Sequence, residues 1–168
     1  MAGKKSDTKK KKPTPKSKSK GLKEIRWDKK HFYRVKLPLF SNNPEKILER
    51  VNDAISEIRR KGYDFDEKKH IILHENDKIF RRGDILIEIG EQKKRDHNIK
   101  TFEKKDLFSK SHIGHTRNIH ESVSEISMHV DKSKKKIKSI YYWYVSHPKR
   151  PKSPNDYKTV IFAEIRER

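Results

Sequence analysis

The chain has no cysteine among its 168 residues. That absence excludes a disulfide framework, a cysteine zinc site and a cysteine nucleophile. Glycine is scarce as well, with six residues in all. None gather into a phosphate-cradling loop, and none flank a serine, so neither a nucleotide-gripping turn nor a strained nucleophile elbow has a sequence to build it. No apolar run approaches the ~18 residues of a membrane-spanning helix, and no apolar segment follows the N-terminal lysines as a secretory signal would require. The composition therefore reads as a soluble protein of the cytoplasm, or one associated with a nucleoid or nucleus. Acidic residues are few against basic ones, 24 Asp and Glu facing 44 Lys and Arg, a net charge of +20.

That charge is unevenly spread. Residues 1–20, MAGKKSDTKKKKPTPKSKSK, carry nine lysines against one aspartate, two prolines and no large apolar residue beyond Met1. Such a stretch cannot bury enough surface to offset chain entropy, and it reads as a disordered tail over residues 1–22. Removing its +8 from the total leaves +12 on residues 21–168, so the part expected to fold, residues 23–168, is itself basic. The excess favours polyanions, nucleic acid above all, with salt-dependent affinity. The tail lysines Lys9, Lys10, Lys11 and Lys12, the connector Lys93-Lys94-Arg95, the run Lys134-Lys135-Lys136 and the pair Lys149 and Arg150 are the candidate phosphate contacts.

Hydropathy becomes periodic from residue 31. HFYRVKLPLF (31–40) alternates as a half-buried strand does, and Pro38 places it at an edge. Asn43 and Pro44 form a helix start, Ile47, Leu48, Val51, Ala54, Ile55 and Ile58 recur at helical spacing, and Gly62 stands where the helix would end. HIILHE (70–75) and DILIEIGE (84–91) are two short β-rich runs. After the lysine-rich connector (92–100) the order returns. DLFSKSHIG (106–114) is a weak strand, and Ile119, Val123, Ile126 and Val130 mark a helix, with Ser122 and Glu125 at capping-box spacing if it begins late. IYYWYV (140–145) and TVIFAEI (159–165) are the closing strands. Residues 85–91 and 161–167 share four identities in seven at an offset of 76, and the other elements lie at comparable offsets, as a duplication requires. The fold class is α+β: two β-α-β-β repeats, about 30–91 and 105–168, forming antiparallel sheet with two packed helices.

Two histidine patterns invite chemistry. His112-Ile113-Gly114-His115 spells the phosphate signature of class I aminoacyl-tRNA synthetases. Too little chain follows it for the rest of a doubly wound sheet, and no matching lysine loop stands downstream, so the letters read as accidental. His112, His115, His120 and His129 lack the helical spacing and the acidic partners of a metal site, and no metal or other cofactor is expected. His70 and His74 lack the hydroxyl residue of two-histidine phosphoesterases. The chain reads as no enzyme.

The two strand-helix-strand-strand units, with a closing strand of the DILIEIGE kind and a helix ending at glycine within SEIRRKGYDFDEKKHIILHEN, resemble GyrI-like small-molecule-binding domains over about residues 30–168. The resemblance implies halves related by a pseudo-twofold axis, a cleft lined by aromatics, and a glutamate that meets hydrophobic or cationic ligands. Tyr141, Tyr142, Trp143 and Tyr144 are the aromatic candidates, with Trp143, Tyr142 and Tyr144 foremost. Glu88 and Glu164 occupy equivalent places in the repeat, although alternation directs both away from their apolar neighbours, toward solvent or the lysines. The family's ligand glutamate aligns nearer Val160. On this reading the protein is a non-catalytic effector-binding module tethered to nucleic acid. The alternative is an RNA- or DNA-binding protein whose exposed sheet stacks Tyr141 and Trp143 on bases. Nothing fixes the oligomeric state.

Overall fold

A computed structural model describes residues 21–37, 44–66, 71–76, 83–91, 96–146 and 152–167. The chain runs β1 (Leu22–Lys36), α1 (Pro44–Arg60), β2 (Ile72–Asn76), β3 (Gly83–Ile89), β4 (Ile99–Ile113), α2 (Ile119–Lys132), β5 (Lys135–Ser146) and β6 (Lys158–Glu167), with short 3-10 turns before α2 and before β6. The six strands form one closed barrel in the order β1-β3-β2-β5-β6-β4. Every pairing is antiparallel. The α+β class with two helices packed on antiparallel sheet is what the structure shows, and the first three strands repeat their arrangement in the second three.

Each helix covers the outside of one half. In α1, Ile47, Val51, Ala54 and Ile58 are buried against Tyr33, Ile85, Ile87 and Ile89. That single stripe follows the i, i+4, i+7 spacing, and each large side chain so covered stabilises the fold by about 1.5–3 kcal/mol. Gly62 ends the helix with φ +70°, its N–H donating to Arg59 O at 3.0 Å while Tyr63 N–H donates to Ile58 O at 3.1 Å. This pair of bonds is the Schellman arrangement, which needs a left-handed residue where glycine stands. In the second half, Ile126 and Val130 of α2 pack on Phe108, Ile140, Ile161, Ala163 and Ile165.

The long strands β1 and β4 run side by side from the Leu22–Lys110 pair to the Tyr33–Ile99 pair. Between them Lys104 takes φ 48°, and the pairing skips Asp28 and Lys104. The irregularity changes which face each strand shows. Trp27 and Phe32, five residues apart, both belong to the same inner cluster, as do Phe102 and Leu107. A regular strand would put residues five apart on opposite faces.

Several boundaries differ from the sequence expectation for this reason. The first strand begins at Leu22 rather than His31, and β4 begins at Ile99 rather than Asp106. Both early segments are charged, LKEIRWDKK and IKTFEKK, and their alternation is broken by the kink. Helix α2 starts at Ile119 with Asn118 as an N-cap that makes no side-chain bond, so Ser122 is no cap and sits inside the first turn. Pro38 and Asn43 lie outside the described residues.

Candidate functional site

Closing the sheet gives each strand a second buried face. All six strands send side chains inward: Trp27 and Phe32 from β1, Leu73 from β2, Leu86 from β3, Phe102 and Leu107 from β4, Tyr141 from β5 and Phe162 from β6. The rings touch in a chain. Trp27 stacks on Phe102 at 5.9 Å and meets Phe162 at 5.4 Å, while Phe102 meets Phe32 at 5.1 Å and Tyr141 at 5.6 Å. Trp143 and Val160 pack against the same cluster, partly buried.

Among the described residues, one carboxylate is buried, and it faces this aromatic interior. Glu164 is 5% exposed. Its Oε2 accepts the Tyr141 hydroxyl at 2.9 Å. Its Oε1 receives the ammonium groups of Lys105 at 2.8 Å and Lys138 at 3.2 Å. Burial pushes the carboxyl pKa up, but the bonds from Lys105, Tyr141 and Lys138 outweigh it and hold the group below its ordinary value. Glu164 is therefore an anion at neutral pH. Lys105 is raised in return, first by its bond to Glu164, and burial keeps the Tyr141 hydroxyl protonated far above its usual range.

Two more ion pairs sit on the same cluster. Lys100 Nζ lies 2.6 Å from Glu75 Oε2 and stands 5.1 Å from the Phe102 ring and 5.9 Å from that of Tyr141. Lys30 bonds Glu88 and stands 5.9 Å from the Trp27 ring, and Glu88 also accepts the Ile71 N–H at 3.1 Å. At the seam between halves, β2 meets β5 at the His74–Tyr142 and Glu75–Tyr141 pairs, far shorter than the β1–β4 seam.

The sequence candidates divide cleanly. Tyr141 and Trp143 face the interior with Glu88 and Glu164. Tyr142 and Tyr144 point outward, the first packing under α2 and the second under α1, so the structure does not bring them to the others. Both glutamates point away from their apolar neighbours and pair with lysines as expected; they are not in solvent, because the face opposite the helices is the barrel interior. Lys134, Lys135 and Lys136 lie at the α2–β5 turn, with Lys134 and Lys136 exposed. Lys9 to Lys12, Lys93, Lys94, Arg95, Lys149 and Arg150 lie outside the described residues. Sequence reasoning missed Lys105, Lys138, Lys100, Trp27, Phe102 and Phe162. Only their chemistry was visible, since closure of the sheet is what assembles them.

The remaining polar groups build other features. His112 is buried, its Nδ1 3.0 Å from Ser122 Oγ and its Nε2 3.3 Å from His115 O, so the HIGH letters tie the end of β4 to α2. Among the described residues no group of three His, Asp or Glu side chains is placed to hold a metal ion. On the far side of β2, between α1 and Tyr144, Ile47, Val51, Ile72 and His74 line a void of about 20 Å³, room for one water. No described helix is long and apolar enough to cross a membrane.

Comparison with known proteins agrees on the fold. The family model described as "Bacterial hydrolase" matches residues 4–165. Among solved structures, the EcmrR C-terminal domain superimposes with a TM-score of 0.66 at 11% identity, covering 88% of this chain and 98% of that one. A hydrolase from Listeria innocua gives 0.58 at 12%, covering 90% and 94%. SAV2435 bound to tetraphenylphosphonium gives 0.51 at 11%, covering 86% and 93%. This chain shares the fold of these proteins. Among curated proteins, none matches the sequence. The expectation that the chain is no enzyme is corrected by the family match and by the hydrolase among the solved structures. It had rested on the absence of a recognisable motif.

Proposed function

The chain belongs to the family described as "Bacterial hydrolase", and from that membership we propose that it binds a small, largely aromatic molecule inside the barrel and hydrolyses it there. One observation carries the reading: the buried, ionised Glu164 set among aromatic rings and bonded by Tyr141, Lys105 and Lys138. Ligand sites are mostly apolar enclosures with a few convergent polar groups. A structural neighbour of the same fold, SAV2435, is described with tetraphenylphosphonium bound.

The chemistry follows from the donor set. A water placed against Glu164 gives its proton to the carboxylate as its oxygen bonds to the electrophilic carbon of the substrate. The Lys105 ammonium and the Tyr141 hydroxyl stabilise the negative charge that develops, and the departing oxygen takes the proton back from Glu164 as its bond to carbon breaks. The short β2–β5 seam is the way in, since opening it separates few paired positions. Aryl esters of graded size test the proposal through absorbance of the released phenolate. Saturable turnover that falls at least ~10-fold in Glu164→Gln, with native circular dichroism, is the expected result. Wild-type turnover in that variant would remove Glu164 from the reaction.

The proposal extends to the tail. Residues 1–22 and the α2–β5 turn would together hold the single domain, residues 23–168, on nucleic acid. Lys135 lies 3.6 Å from Glu24 near the start of β1, so the +8 segment joins the barrel beside Lys134 and Lys136. Binding of mixed-sequence DNA and RNA should weaken steeply with salt, and replacing Lys134, Lys135 and Lys136 by Ala should lower the log–log slope by about 2–3. An unchanged slope would exclude the turn.

A further inference from the structure

The charges around the barrel interior do not suit the ligand that the fold suggests. A lipophilic cation binds through two features, an anionic group and the faces of aromatic rings. Here the protein's own lysines occupy both. The ammonium groups of Lys105 and Lys138 share Oε1 of Glu164, and Tyr141 takes Oε2. Lys30 stands over Trp27, and Lys100 stands over Phe102 and Tyr141. The Glu88–Lys30 and Glu75–Lys100 pairs are each neutral, whereas the Glu164 centre joins one carboxylate to two ammonium groups and is net positive.

We infer that the interior site takes an aromatic anion, a ring system bearing a carboxylate, sulfonate or similar group, with Lys138 as the residue that selects it. This rests on the barrel interior being the ligand site. Lys138 is placed for the role because its side chain is 49% exposed while that of Glu164 is 6% exposed, so its ammonium can turn from the carboxylate to an arriving anion without burying a new charge. Lys105, 27% exposed, stays to balance Glu164. A cation arriving at the same place meets two like charges and finds no uncommitted carboxylate oxygen. Drawing Lys138 away also removes one of the three bonds that depress the Glu164 pKa, so an anionic ligand makes the carboxylate a stronger base as it binds.

Tetraphenylborate and tetraphenylphosphonium share one shape and differ in the sign of their charge. The full-length protein reports on both through its two tryptophans, Trp27 and Trp143, which both pack on the interior cluster. Titrated at one ionic strength, tetraphenylborate should quench with at least ~10-fold higher affinity. Lys138→Glu should reduce that affinity ~10-fold and strengthen the phosphonium, whereas Lys136→Glu, equal in net charge and two residues away on the exposed strand end, should change either by less than ~2-fold. Phosphonium binding as tight as borate would overturn the inference and leave the interior site standing, as would equal losses in the two variants, which would mark attraction to the overall charge. Quenching by neither ion would remove the interior site itself.

Discussion

Acid should unfold this protein earlier than its carboxylates require, and His74 is the cause. The imidazole is 3% exposed, with Nδ1 3.3 Å from the Tyr144 hydroxyl and the Tyr142 and Tyr144 rings on one side. On its other side the backbone closes in, since a Cβ at Gly83 would stand 2.7 Å from Nε2. Burial lowers the His74 pKa from 6.5 to about 4, because charging the ring there would cost its hydration. The lowered value fixes the sign. Above the unfolded value of 6.5 neither state binds the proton, and below about 4 both do; between them the unfolded chain alone is protonated, so stability falls as pH falls. The slope approaches ~1.4 kcal/mol per pH unit, or about 2 kcal/mol between pH 6.5 and pH 5 and about 3 kcal/mol over the whole window. Urea unfolding at about pH 7 and about pH 5, on wild type and His74→Asn, isolates the effect. The variant keeps a polar group toward Tyr144 but does not titrate, and its loss between the two pH values should be smaller by about 2 kcal/mol. Asp96, Glu57 and Glu164 are held below their ordinary carboxyl values, and their contribution, common to both proteins, cancels in the comparison. Equal pH dependence in the two proteins would refute the argument.

Three further outcomes are expected. Gly62→Ala should cost about 1 kcal/mol in urea unfolding, because φ +70° is a left-handed conformation that a Cβ penalises, and Gly62→Asn should cost less. Phe162→Ala removes a ring that meets Trp27 at 5.4 Å and should destabilise by about 3–5 kcal/mol if the interior is packed as tightly as a core; a loss under ~1 kcal/mol would mean a chamber with room to spare. Ser122→Ala leaves the buried His112 without its 3.0 Å partner and should cost about 1–3 kcal/mol, with faster amide exchange at the start of α2 as the local readout.

What the sequence revealed and what it concealed divide along one physical line. Helix α1 was legible because Ile47, Val51, Ala54 and Ile58 keep one stripe and Gly62 ends it, and β3 was legible because Ile85, Ile87 and Ile89 alternate without interruption. These elements follow local rules. The first halves of β1 and β4 were concealed because the irregularity at Asp28 and Lys104 exchanges the faces of both strands, so Trp27 and Phe32 share a side that regular alternation forbids. Tyr141 to Tyr144 could be divided into two pairs from alternation alone. Which pair faces the barrel interior could not be settled that way, because both faces of a closed sheet are buried, one under helices and one inside. The same ambiguity left Glu88 and Glu164 between solvent and the lysines, and the closed sheet places them with lysines on its inner face. Val160, Phe162 and Glu164 in fact lie along one inward row, so a glutamate is present on the strand that the family resemblance singles out, four residues beyond the aligned position.

The duplication supplies the frame, and departures from it supply the chemistry. Glu88 and Glu164 hold equivalent places on β3 and β6, both inward, both paired with lysine. Their surroundings then diverge. Glu88 has one ammonium, that of Lys30, and the Ile71 N–H on a side chain 20% exposed. Glu164 has two lysines and the Tyr141 hydroxyl on a side chain 6% exposed, where leaving the carboxylate without any partner is costly. Lys105 reaches it from β4 just beyond the kink at Lys104, and Lys138 reaches it from β5 at the register shift between Ile137 and Ser139. Both cations thus come from places where the sheet departs from regularity, as residues that re-aim side chains toward a site commonly do. A symmetric barrel of two identical halves would hold two single ion pairs; breaking the symmetry at these two points gathers a second cation on one of them, and that is why the second half rather than the first holds the buried carboxylate with three donors.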